Sequence, residues 1–201
     1  DNGVDLKLNT GIEEIHATED GYVATLNDGS NINFDHTVVG IGVIPNTGLA
    51  EAAGLECDNG IVVNEYTLTS DPSIYAIGDV TNRVQLTPVA IREGMPFVET
   101  VVKGNPTNVD HALIPSAIFT QPEMGTVGLS EEDAREQETI EVYATSFRPM
   151  QTAFANRPDR VLMKLVVSKA TRKVLGCHIV SPHAGEMIQL AGIAIKMGAT
   201  K

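Results

Sequence analysis
The chain has 201 residues, 42% of them hydrophobic and 20% charged, and a formal net charge of -12 at neutral pH. This length suits one large domain or two small ones, and the apolar share excludes a disordered chain. The negative charge argues against nucleic acid or an anionic membrane as a partner, so an anionic ligand would need local donors such as a helix N-terminus.

The only cysteines, Cys57 and Cys177, lie far apart and form neither a CxxC nor a metal-like cluster. That pattern points to a reducing, cytoplasmic compartment and to no metal site. The opening "DNGVDLKLNT" has no signal-peptide pattern. The most apolar tract, Met187 to Ala199, is broken by Gln189 and Lys196 and is too short to span a bilayer.

In chain order, the first 34 residues read as a β-meander. "GVDLKLNTGIEEIHAT", "YVATLN" and "SNINF" alternate, and Asp28-Gly29 between the last two predicts a tight hairpin with positive φ at both central positions. "TVVGIGV" (37–43) is nearly all apolar, as expected of a strand covered on both faces. A loop with one short helix follows, then a strand at "IVVNE". Asp71-Pro72 forces a turn before a further strand, "SIYAIGD".

Residues 87–103 have a helical pattern, with Thr87 expected as N-cap and Pro88 at the first helical position. The polar stretch 104–111, bearing Gly and Pro, reads as a linker. Beyond it, "LIPSAIF" and "GTVGLS" read as strands. Ser130 caps the helix "SEEDAREQE". "IEVYATSF", "RVLMKLVVS" and "KVLGCHIVS" alternate as strands, the last two joined as a hairpin through "ATRK". The helix "AGEMIQLAGIAIKMGA" has only a narrow polar strip, so it should be buried on more than one side.

Chemistry concentrates at "SIYAIGDVTNRVQLTPVAI". An apolar strand delivers Asp79 to its C-terminal end, where open α/β sheets bind ligands. Gly78 lets a ligand approach the backbone. The carboxylate accepts from hydroxyls such as those of a ribityl or ribose chain. The helix start at Thr87 stabilises negative charge by about 0.3–1 kcal/mol. Strand, Gly-Asp and capped helix together favour a cofactor over a purely structural turn.

These residues resemble the second FAD-contacting segment of the flavoprotein pyridine nucleotide-disulfide oxidoreductases. "IPSAIFTQPEMGTVGLSEEDA" and the hairpin and helix from Arg160 to Thr200 resemble the dimerisation domain of that family. From Thr81 onward the chain is most like the glutathione reductase branch.

The resemblance implies three parts: residues 1–43 as the end of an NAD(P)-binding domain, 44–110 as the returning part of an FAD-binding domain, and 111–201 as a C-terminally incomplete dimerisation domain. The fold class is therefore α/β plus α+β. By the same resemblance, Asp79 contacts the flavin ribityl chain and Thr87 faces the flavin pyrimidine edge, while Gly78 beside Asp79 is a cofactor-site residue for its open backbone. Leu86 lies near the nicotinamide, and Gly42 contacts the nicotinamide nucleotide.

Val43 stands where most disulfide reductases carry arginine, and Met95 where some glutathione reductases place an arginine on the disulfide substrate. A dihydrolipoamide dehydrogenase, mercuric reductase or ferredoxin-reductase-like relative therefore stays open. A non-catalytic dimerisation module is the alternative from another class. No GxGxxG and no Cys-x4-Cys pair occurs, and the His-Pro-Thr segment of the family should lie beyond Lys201. The chain is accordingly expected to be an inactive fragment of an FAD- and NADP(H)-dependent enzyme, with weak or no cofactor binding and a homodimer contact in 111–201. Cys177 reads as a buried structural thiol, and His178 and His183 as surface or capping residues.

Overall fold
The computed structural model describes residues 4–201 and divides the chain into two compact units, 1–46 and 47–201. Five α-helices and two sheets make up the mixed α/β architecture among the described residues.

The first unit holds the antiparallel meander β1 (Ile12–Thr18), β2 (Gly21–Leu26) and β3 (Asn31–Phe34). Ala24 and Leu26 are its buried residues, and Tyr22 stacks on Phe34 with ring centroids 5.6 Å apart. The start of the predicted first strand at Gly3 lies outside the described residues, and pairing begins only at Ile12. The hairpin at Asp28-Gly29 forms, but only Gly29 has positive φ, at 80°. Gly29 N–H donates to Leu26 C=O and Leu26 N–H to Ser30 C=O, at 2.9 and 2.8 Å. This is a three-residue loop closed by a glycine bulge, so one left-handed residue suffices.

Residues 37–43 form no strand, contrary to the expectation from their apolar run. Val38 is 98% and Ile41 89% exposed. A buried central strand needs neighbours on both edges, and none of the described residues pairs with this segment. The strands expected at "IVVNE" and "SIYAIGD" likewise shrink to isolated bridges, Cys57 with Ile61 and Leu68 with Tyr75. Local turns take their backbone groups instead. Ala76 N–H reaches Thr67 C=O, Ile61 N–H reaches Val80 C=O, and Asp71 Oδ1 accepts from Ser73 N–H and Oγ.

In the second unit, α1 (Gly48–Ala52) precedes α2 (Thr87–Phe97), and a π-helical turn follows at Val98–Val102. Pro96 lies inside α2 and has no N–H to give to the preceding turn, so the ladder widens just after it. The predicted linker is tethered: Val109 is buried and its N–H donates to Glu65 C=O.

The larger sheet runs β4 (Ser116–Ile118), β5 (Glu123–Gly128), β8 (Val174–Ser181), β7 (Val161–Ser168), β6 (Ile140–Phe147), antiparallel throughout. Helix α3 (Glu131–Gln137) is capped as expected, with Ser130 Oγ accepting from Asp133 N–H at 3.1 Å. Its Ala134 packs with Ile140 and Val166. A short helix, α4 (Met150–Phe154), falls in the loop before β7, where no helix was expected.

Helix α5 (Ala184–Lys196) lies on the opposite core. Ile188 and Ile195 join Val127, Cys177 and Ile179 there. Glycines let the layers touch: a Cβ at Gly125 would meet Ile188 Cβ at 2.9 Å, and one at Gly192 would meet Pro115 Cγ at 2.5 Å. The far side of α5 stays apolar and open, with Leu190 70%, Ile193 61% and Met197 83% exposed.

Candidate functional site
Residues 78–81 form a single 3-10 turn packed on α2. Gly78 has φ +74°, and a Cβ there would lie 3.1 Å from Ala90 Cβ, so both conformation and space favour glycine. This turn replaces the expected strand end and presents Asp79 at the surface. Among the described residues, no hydrogen bond or ion pair engages the Asp79 carboxylate.

The expected N-cap moves by one residue. Leu86, extended at φ -133°, precedes α2, and Thr87 is already helical with no side-chain cap bond. Val89 and Ala90 N–H groups both turn back to Leu86 C=O at 2.9 and 3.1 Å. Pro88 has no N–H, so the first turn leaves the Thr87 N–H as its outward donor. The anion-holding capacity of this end is therefore narrower than the sequence pattern implied.

Gly78, Asp79, Leu86 and Thr87 thus fall in one unit, on the turn and helix start that touch. Gly42, at φ +82° with no atom within 4 Å of an added Cβ, belongs to the other unit.

Glu93 escaped the sequence reading. It is 1% exposed on α2. Oε2 accepts the Gly78 N–H at 2.5 Å, while Oε1 accepts from Arg83 Nη2 at 3.0 Å and from His111 Nε2 at 2.7 Å. The one signal in the sequence is its spacing, four residues after buried Val89 on the inward face.

The other candidate side chains make these contacts. Cys177 is 6% exposed, and burial pushes its thiol above the ordinary value, which disfavours a thiolate. His178 sits between Thr126 Oγ1 (2.7 Å) and Leu129 C=O (3.1 Å). His183 occupies the N-cap of α5 in the left-handed region. Glu123, His183 and Glu186 bring potential ligand atoms within 4.8 Å of one another. Glu123 Oε2 is already spent there, accepting Gly185 N–H at 2.9 Å at the helix start. No helix of the chain is long and apolar enough to cross a membrane among the described residues.

The fold is that of a flavoprotein disulfide reductase. The HOCl-induced flavoprotein disulfide reductase RclA from Escherichia coli superposes with a TM-score of 0.83 over 98% of this chain and 47% of its own, at 23% identity. The pyridine nucleotide-disulphide oxidoreductase family model matches residues 1–94, and the model of that family's dimerisation domain matches 114–201. The chain belongs to the pyridine nucleotide-disulphide oxidoreductases.

Among its relatives, glutathione reductase of Burkholderia cepacia is 41% identical over 205 positions, covering 100% of this chain and 46% of the relative. The chloroplastic/mitochondrial glutathione reductase of Pisum sativum is 47% identical over 87% of this chain and 33% of its own length. Trypanothione reductase of Leishmania donovani is 40% identical over 98% of this chain and 42% of its own. The chain spans a third to a half of the length of these relatives.

Proposed function
We propose that these residues form the flavin-facing and dimerising part of an FAD- and NADP(H)-dependent disulfide reductase of the glutathione reductase kind, working in a reducing cytoplasm. In this reading 1–43 end the NAD(P)-binding domain, 44–110 return to the FAD-binding domain and 111–201 carry the dimer contact.

The observation that carries the reading is the free Asp79 carboxylate on a glycine-led turn against the start of α2. The donor set fits a flavin: Asp79 accepts ribityl hydroxyls, and the Thr87 N–H meets the electron-rich pyrimidine edge. Gly78 keeps the approach to the backbone open. Bound flavin supplies the relay of reducing equivalents between a nicotinamide and a dithiol. Residues 1–201 contain no GxGxxG to hold a pyrophosphate, so this polypeptide alone is expected to bind FAD weakly, and no closely spaced cysteine pair, so it is expected to reduce no disulfide.

A chemical-shift titration with FAD into the millimolar range tests the flavin reading. Movement of the Gly78, Asp79 and Thr87 amides is expected, and its loss in Asp79→Ala. Still amides in the parent chain overturn it. NADPH-dependent reduction of glutathione disulfide above a buffer blank, by this polypeptide supplied with FAD, overturns the inactivity.

The exposed stripe Leu190, Ile193 and Met197 supports a homodimer. Sedimentation equilibrium is expected to show association that Ile193→Asp removes, and a clean 21.4 kDa monomer for the unmodified chain refutes it.

A further inference from the structure
Helix α2 buries one charge, and donors reach both of its oxygens. A buried carboxylate is costly unless donors surround it. Glu93 receives three, from three separate segments: Gly78 of the turn, Arg83 of the loop after it, and His111 at the entry to the dimerisation domain. Arg83 and His111 are themselves largely covered, with side chains 24% and 22% exposed. The bond to Gly78 is the one that bears on Asp79, because it fixes the Ile77–Gly78 peptide, one residue before the aspartate. Gly78 has φ +74° and no side chain of its own to hold it in place.

We propose that Glu93 is the positioning residue of the Asp79 site: through Oε2 its carboxylate pins the Gly78–Asp79 turn to α2, and through Oε1 it ties that turn to Arg83 and His111. The inference rests on the flavin reading of Asp79. It gives that reading a lever more than ten residues away in sequence. A shift of the His111 segment is felt at the same carboxylate that sets the turn, so the dimerisation domain and the hydroxyl-accepting carboxylate are mechanically joined.

A purely structural ion pair predicts a loss of global stability and nothing local at Asp79. Positioning predicts more. In Glu93→Ala, the Gly78 amide should exchange with deuterium about tenfold faster under conditions where the fold persists, since one hydrogen bond to a charged acceptor is lost. The FAD titration monitored at Asp79 should weaken by about tenfold as well. Glu93→Gln keeps an acceptor for Gly78 and should restore the slow exchange. It also carries the test if Glu93→Ala does not fold, where fast Gly78 exchange in a folded Glu93→Gln overturns the proposal.

The two readings fail separately. If Asp79→Ala abolishes FAD shifts while Glu93→Ala leaves both Gly78 exchange and the FAD titration unchanged, Glu93 is not a positioning residue and the flavin reading stands. If FAD moves no amide in the parent chain, the flavin reading falls, and the positioning role falls with it.

Discussion
Ile188→Ala tests where the second unit keeps its core. Ile188 is 0% exposed, held between Gly125 of β5 and the cluster of Val127, Cys177 and Ile179. The substitution removes three carbons, which at ~0.8 kcal/mol each amounts to about 2.4 kcal/mol of lost transfer energy. The vacated space is on the order of 60 Å³, adding about 1.5 kcal/mol at ~24 cal/mol per Å³ if the walls stay put. They should stay put, because the wall at Gly125 is backbone of a paired strand and Ala184 C=O stands beside it. The expected loss is therefore about 3–4 kcal/mol, or a fall in Tm of about 10 °C for a unit of this size. Urea and thermal unfolding followed by far-UV circular dichroism would measure it. A loss below about 1 kcal/mol would refute the placing of α5 against this sheet.

Three further outcomes are expected. Gly176→Ala puts a Cβ 2.0 Å from Leu129 C=O, a backbone atom that cannot step aside, so the unit should lose about 3 kcal/mol in urea unfolding. Ser130→Ala removes the acceptor for Asp133 N–H and should cost about 1 kcal/mol by the same assay. The Asp110 carboxyl is held below its ordinary 3.8 mainly by the side-chain hydrogen bond from Lys196, then by Ala112 N–H. Its contribution is thus full above that value and lost as pH falls through the lower folded one. The stability gap between the parent chain and Lys196→Met should accordingly close on acidification, and a gap constant with pH in urea titrations would contradict this.

Elements that carry their own signals were legible in the sequence. Ser130 with three acidic residues after it announced α3, and two β-branched-rich runs joined by "ATRK" announced the β7–β8 hairpin. The apolar circumference of α5 announced its buried face, but burial on a second side does not occur within the chain, where Leu190, Ile193 and Met197 stay exposed. Segments whose structure depends on a neighbour were misread. Residues 37–43 and 73–79 have strand composition, yet strand is a property of a pair, and their backbone groups find turns or no partner here.

The candidate site divides the same way. Gly78 and Asp79 stood out as a dipeptide with defined chemistry. Glu93 looked like one more surface acid, because burial of a lone carboxylate becomes visible only when the donors from Arg83 and His111 are seen to converge.

The strand order of the larger sheet has a consequence for how the chain is made. β8 is the last strand in sequence but lies between β5 and β7, pairing Glu123 with Ser181 on one edge and Leu162 with Val180 on the other. During synthesis, the β4–β5 and β6–β7 hairpins must therefore wait on the ribosome as two separate halves, each with one raw edge and half a core. Val127 on one half and Met163 and Leu165 on the other have nothing to close over them until Cys177 and Ile179 emerge, and α5 follows only after that. Closure is a late, long-range event of the slow kind, and the interval before it is when this polypeptide is most open to pairing with the wrong strand.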